Sequence, residues 1–418
     1  MRSVWFSRLF FAVVAATAAA GIISGTACTR WGQPGPITPT TAPLASIYVS
    51  AQTGSDTAGS GSLTNPYKTM TKAVAVLTAA KSVAPSGVTI FLGNGDYDLA
   101  NGEQFPIVVS RNVTITGTNY GTGPATGSFI NGVGQDTIFE RVVHAPPHSA
   151  YATFEVLPPA NVNLGDVYVG ASKIRLPSSR AVYSSVDVIG ALNASNASFG
   201  AGIVSALRNV NGILVASGSL TCTSCQIRGN DFGIGALTVP IPTAAPSSSP
   251  SSGIPTIMLS QGNGDSTIVA KIVDVVTDGS ASVTASGEKF EAADYGFEDA
   301  LAPIVPVATR GAIDFGGGVG SSTGGNDFIG ARVTEISIGR RFETVSALDD
   351  TWNPNQQRAN RSGLYSRKLT FGAGASGKNV TIHSGASGST VTVGPAPVPT
   401  PTPSTTPSGP PSPTPTPT

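Results

Sequence analysis

Ile47-Tyr48-Val49, Gly54-Ser55-Asp56, Asn65-Pro66-Tyr67-Lys68-Thr69, Val88-Thr89-Ile90-Phe91-Leu92, Gly95-Asp96-Tyr97 and Val113-Thr114-Ile115-Thr116-Gly117 follow one another through residues 47–117, and their order decides the fold. The apolar triplets and quintets rich in Val, Ile and Thr predict short strands. The Gly-Ser-Asp stretch predicts a loop, and Gly93 to Tyr97 a turn. Tyr67, Met70, Val74 and Leu77, spaced three, four and three apart, give one apolar stripe and predict a helix over 70–80. Stacked parallel strands leave unpaired N–H and C=O groups at an open end, where another chain can pair. One amphipathic helix laid over that end covers it. The helix therefore belongs at the head of a chain that is otherwise strands.

Downstream of residue 117 the strands are three to six residues long and separated by Gly, Asn and Ser. Examples are Tyr151-Ala152-Thr153-Phe154-Glu155-Val156, Val167-Tyr168-Val169, Val186-Asp187-Val188-Ile189 and Gly233-Ile234-Gly235-Ala236-Leu237. Without long helices between them, a βαβ fold is excluded and sandwich, barrel or solenoid remain. Ile227-Arg228-Gly229-Asn230-Asp231-Phe232, a strand, an Asn turn and a strand, favours the solenoid, because stacked Asn corners satisfy each other's turn amides. Gly325-Asn326-Asp327-Phe328 is a second such step, though no fixed period emerges.

The head resembles an uncharacterised domain family in the pectin-lyase-like right-handed parallel β-helix superfamily. The resemblance is carried by Tyr48-Val49 with Gly54 and Asp56, by Pro66-Tyr67-Lys68-Thr69, and by Gly95-Asp96-Tyr97; Asp314 to Gly318, Gly325 to Phe328 and Asp350 to Pro354 agree with it. It implies an all-β fold, a single-stranded right-handed parallel β-helix with an N-terminal capping helix, in exported bacterial proteins. It implies no catalytic residue.

The remaining segments read from composition. Residues 1–27 form a signal peptide: Arg2 and Arg8, an apolar run over 9–23, then Gly25-Thr26-Ala27 before Cys28. Small residues ahead of a Cys make Cys28 a lipid-attachment residue, with plain secretion the alternative. Residues 28–45 are a Pro/Thr-rich linker, 46–394 the β-helix domain, and 395–418 a Pro/Thr-rich disordered tail. Within the domain, 240–255 and 277–306 are expected to loop out, the first for its Pro-Ser content and the second for its charges.

Charge narrows the function. The 418 residues carry 24 Lys+Arg and 24 Asp+Glu, a net charge of zero, and only 11% are charged. That gives no basic footprint for nucleic acid and leaves a lipid anchor as the route to a membrane. Cys222 and Cys225 are a C-x-x-C pair, read as a local disulfide or two inward-facing small side chains. A zinc site would need two more ligands, which His144, His148 and His383 do not offer at a matching spacing. No metal set and no cofactor motif is read. Asp187, Asp231, Arg208 and Arg228 are raw material for lyase chemistry, and Asp349-Asp350 and Glu298-Asp299 for a carboxylate pair. Neighbours on a strand point to opposite faces, however, so no catalytic residue is assigned. Tyr151, Tyr168, Tyr183 and Phe199 could stack on sugars or fill the core. The expected role is binding or structure at the cell envelope, toward polysaccharide or other envelope components. A carbohydrate-active enzyme on the same scaffold and a protein-binding adhesin are the alternatives. Mass spectrometry of the mature N-terminus should find a lipidated Cys28 as first residue; an unmodified start elsewhere would refute the anchor.

Overall fold

The computed structural model describes residues 43–118, 128–130, 150–170, 182–200, 211–228, 232–237, 254–262, 266–270, 273–291, 294–299, 311–318, 320–328, 331, 334–339, 344–352, 380–382 and 390–394. These form three sheets of eleven, nine and nine strands, every pairing parallel, with one helix, Met70–Ala79. The first sheet starts with Ser46–Val49 and Thr89–Leu92 and ends with Thr390–Gly394. Each coil visits the first sheet, then the third, then the second. Asn161–Gly165, Val167–Gly170 and Val182–Val188 make one coil; Ala191–Ser195, Ser198–Gly200 and Asn211–Ala216 make the next. This is a parallel β-helix with a capping helix, as the sequence predicts. Successive coils begin as little as 24 residues apart, at Thr89 and Val113, and as much as 48 apart, at Val113 and Asn161. Insertions of such different length are why no period is legible.

Alternation builds the core. On the first sheet Ile90, Ile115, Leu164, Ala194, Cys222, Leu259 and Ala285 point inward, and each lies in one continuous hydrophobic cluster. Phe290, Phe328 and Trp352 stack on successive coils of the third sheet, with ring centroids 4.6 and 5.1 Å apart. That matches the ~4.8 Å step between strands, so each ring lies face to face on the next.

The corner between the first and third sheets repeats from coil to coil. Asp166, Asn196, Ser224 and Asp349 have φ of 55°, 48°, 55° and 61°, and Gly287 has 68°. A left-handed residue turns the chain through this corner in one step. Its amide then donates to the next coil: Asp166 N to Ser195 O at 3.2 Å, Asn196 N to Thr223 O at 3.1 Å, Ser224 N to Ser260 O at 3.0 Å. Asn196 and Asp349 stand at such corners, but Asn230 lies outside the described residues.

Local chemistry fixes the head. Asp56 accepts from Lys68 N, Thr69 N and Thr69 Oγ1 at 2.8, 3.0 and 2.7 Å. Thr69, the N-cap, accepts from Lys72 N at 3.0 Å. Glu103 accepts from Met70 N at 2.5 Å, Thr71 N at 2.9 Å and Thr71 Oγ1 at 2.7 Å. Two carboxylates thus satisfy the helix's open N–H groups and meet its positive end. Met70, Ala73, Val74 and Leu77 are buried, and Tyr67 packs beside the core just before the helix. Tyr97 is fully buried and donates to Val49 O and Gly93 O at 3.1 and 2.9 Å. The motif residues of the head are therefore its hydrogen-bond network.

Two expectations are corrected. The predicted excursion over 277–306 is, as far as it is described, mostly a regular coil: Ser282–Ser286, Lys289–Phe290 and Tyr295–Asp299 pair in register on both sides. Its apolar residues Val283, Ala285, Phe290 and Phe297 point inward, while Lys289 and Glu298 are only half-buried. Gly95–Tyr97 is a strand rather than part of a turn. Residues 1–42 and 395–418, and 240–253 of the other expected excursion, lie outside the described residues.

Glu103→Ala would leave the amides of Met70 and Thr71 at the helix start without their acceptor. It should lower stability by about 1–3 kcal/mol in thermal or denaturant unfolding; an unchanged midpoint would show that the head does not depend on it.

Candidate functional site

Among the described residues, the outer face of the first sheet is a continuous surface of half-buried and exposed positions. Alternation places Tyr48 and Phe91 there first, then Thr114 and Thr116, Asn161 and Asn163, and Asn193 and Ser195. The next strands add Ser219, Thr221 and Thr223, then Thr256, Met258 and Ser260, then Ser282, Thr284 and Ser286. All of these are half-buried or exposed. From Ser46–Val49 to Ser282–Ser286, eight strands, no outward position carries a charge. At ~4.8 Å per strand the face is on the order of 35 Å long, with outward rows ~6.7 Å apart along each strand.

The carboxamides on it are held. Asn193 Nδ2 donates to Asn161 Oδ1 at 2.9 Å and to Asn163 Oδ1 at 3.0 Å, and Asn112 Oδ1 accepts from Asn161 N at 2.8 Å. Asn163 Nδ2 reaches Thr114 Oγ1 at 3.4 Å. Tyr48 and Phe91 stack at 4.9 Å and 14° at the head end. Asp314, the next residue in the central row after Thr284, is fully buried. It accepts from Gly316 N, Gly318 N and Ser322 N at 3.0, 2.9 and 3.1 Å, so the amides of its own turn satisfy its oxygens.

The second sheet carries a different arrangement. Glu155 and Asp187 are direct register partners on adjacent coils, between the inward Phe154, Val156, Val186 and Val188. They therefore stand side by side on the outer face, one strand step apart, yet both are buried. Burial pushes the Glu155 carboxyl up to about 7. Burial first, and then the neighbouring Glu155, push Asp187 up to about 8. Asp187 Oδ1 has no hydrogen-bond partner. Such a pair shares protons near neutrality, because two adjacent buried negative charges repel.

The other sequence candidates separate. Cys222 and Cys225 are free thiols, both fully buried and part of the core, with burial holding the Cys222 thiol well above its ordinary range. Cys225 Sγ lies 3.8 Å from Ala194 O. Asp299 lies in the inward row with Ala236 and Ile338 and accepts from Thr277 Oγ1 at 2.5 Å, while its neighbour Glu298 faces out. The two do not converge. Asp350 is pushed up to about 7 by burial, against hydrogen bonds to Oδ1 from Asn326 N and Nδ2 at 2.9 and 3.0 Å. Glu288 is likewise held at about 7 by burial, with Ser266 Oγ 2.6 and 2.8 Å from its oxygens. Phe199 is core, and Tyr168 donates to Gly200 O at 3.0 Å. Arg228 is exposed at the end of Gln226–Arg228. Cys28, His144, His148, His383, Arg208 and Asp231, and the side chains of Tyr151 and Tyr183, lie outside the described residues. The acid pair escapes sequence reading because its members are 32 residues apart and become neighbours only through the coil register.

Three all-parallel sheets wound coil on coil make this a parallel β-helix protein. Within it, residues 52–146 match a family described as a protein of unknown function, DUF1565, which is the likeness that the head motifs carry. No curated protein matches the chain. Among solved structures it is similar to the GH136 lacto-N-biosidase from Eubacterium ramulus. The selenomethionine derivative overlaps at 9% identity and a TM-score of 0.32, covering 84% of this chain and 67% of that one. The native protein overlaps at 10% identity and 0.26, covering 84% and 68%.

The raised carboxyls predict a pH dependence. Unfolded carboxylates titrate near 4, so between about pH 4 and 8 the folded chain keeps protons that the unfolded chain has released. Stability from these groups is thus full at the acid end and declines as pH rises through 7 to 8. Thermal midpoints should fall from pH 5 to pH 8, and Asp187→Asn should flatten the slope. A midpoint rising over that range would contradict the assignment.

Proposed function

We propose that this is an exported, lipid-anchored cell-envelope protein that binds polysaccharide on the outer face of its first sheet. The carrying observation is the chargeless run of hydroxyl and carboxamide side chains over eight strands. A surface of fixed donors and acceptors without charge suits an uncharged polyhydroxy polymer, which offers the same groups in return. It offers nothing to the phosphates of nucleic acid. The Pro/Thr-rich segments at 28–45 and 395–418 suit a tether and a spacer at a surface.

A carbohydrate-active enzyme is the second reading, and Glu155 with Asp187 favours it. A carboxyl held protonated near neutrality beside a second is what acid and base roles in glycoside cleavage require. A glycan array, followed by measurement of new chain ends on every bound polymer, separates the two. Binding without new ends is the expected result. New ends that disappear in Asp187→Asn would replace the binding reading with the enzymatic one.

A further inference from the structure

Resting on that reading, we infer that Phe91 is the platform of a sugar subsite, seating one ring of a neutral polysaccharide over Thr116 and Gly165 beside Asn163. The outward row that contains Phe91 runs Tyr48, Phe91, Thr116, Gly165, Ser195 through the ladder. One face of the Phe91 ring is taken by Tyr48, which stacks on it at 4.9 Å. The other face looks along the sheet, where the row drops from an aromatic to Thr116 and then to no side chain at all. The result is a wall standing at the end of a low shelf. Phe91 is 37% exposed, among the most exposed large apolar side chains described.

Gly165 is the observation that points to a ligand. A glycine within a strand weakens it, through chain entropy and a missing side chain, by roughly 0.5–1 kcal/mol. Some glycines in this chain are required: a Cβ on Gly117 would lie 2.3 Å from Asp166 O, and Gly287 has a positive φ. Gly165 is under neither demand. Its φ is not left-handed, and a Cβ there would meet only Ser195 Oγ at 3.5 Å and Ser195 O at 3.9 Å, ordinary contact distances. The fold has room for a side chain at this position and lacks one. Gly165 ends its strand beside the corner at Asp166, yet Ser195, Thr223 and Ser286 stand before the same corner on other coils, so the bend does not require a glycine, and the bare backbone leaves room for a ligand to come close.

The polar wall of the shelf fits the same occupant. Asn163 is the outward neighbour two positions before Gly165, and Asn193 holds its Oδ1 at 3.0 Å. Both amide hydrogens of Asn193 are donated to Asn161 and Asn163, and among the described residues none donates to its Oδ1, which can accept from a ligand hydroxyl. Phe91 offers an aromatic face to the C–H side of one sugar ring, and Asn163 and Asn193, two and three strands further along the sheet, offer fixed carboxamides to the hydroxyls of the units that follow it. No outward strand position of the shelf carries a charge, and the only acidic neighbour among the described residues, Asp166 at the corner after Gly165, disfavours a polyuronate, so an uncharged polymer is selected.

The test uses the mature full chain against soluble glucan, mannan and galactan, with polygalacturonate as the charged control, by calorimetry. Phe91→Ala removes the wall, and Gly165→Val fills the shelf without touching Phe91. Each should weaken binding of the preferred neutral polymer about tenfold or more, at a melting temperature close to the parent's for Gly165→Val. Phe91→Tyr should retain binding. If the parent binds a neutral polymer and both Phe91→Ala and Gly165→Val bind it within twofold of the parent, the subsite is refuted while the binding face stands. If the parent binds none of the neutral polymers, or polygalacturonate alone, the polysaccharide reading of the face falls with it.

Discussion

A parallel coil can stack only if its corners turn the chain without stranding an amide, and in this protein one corner does so by a left-handed residue repeated from coil to coil. A non-glycine residue in that conformation costs about 1–2 kcal/mol. At Asp166, Asn196 and Ser224 the N–H released by the turn donates to the coil above, so the turn and the stack are satisfied by the same bond. The corner also fixes phase. Asn161–Gly165, Ala191–Ser195, Ser219–Thr223, Ser282–Ser286 and Thr344–Leu348 each end just before such a residue, so the alternation of inward and outward side chains keeps the same phase on these coils. A slip of one residue would send Leu164 out and Asn163 in. Where these corners occur, the outward rows of the uncharged face align because the turns do.

That dependence explains what could be read from the sequence. The head was legible because its determinants are close in the chain: the stripe from Tyr67 to Leu77, Thr69 as cap, and the Gly-Asp-Tyr step ending at Tyr97. Glu103 was not, since its contact with Met70 and Thr71 spans more than thirty residues. The coil through 282–299 is concealed in the sequence by its charges, which suggest a segment that loops out. In a solenoid only every second residue must be apolar, and Glu288, Lys289 and Glu298 occupy a corner and the positions between. Insertions that vary coil length conceal the period, so register, and with it every cross-coil neighbour, had to come from the structure. Phe91, Thr116 and Gly165 were each visible as residues, but nothing local says they share a row.

The two faces that carry polar groups differ in what surrounds them. On the first sheet, Asn and hydroxyl side chains remain in contact with water and need no neutralising partner. On the second, Glu155 and Asp187 are removed from water side by side, and the least costly solution is to keep a proton on them. Two carboxyl groups commonly serve glycoside cleavage, but only where a substrate can come between or beside them. With Asp187 1% exposed and Glu155 5%, the pair is shut off from solvent, while the row that includes Phe91 is open. Exposure, more than ionisation, separates the two faces: the open one is the one without charge, and the bare position at Gly165 lies on it.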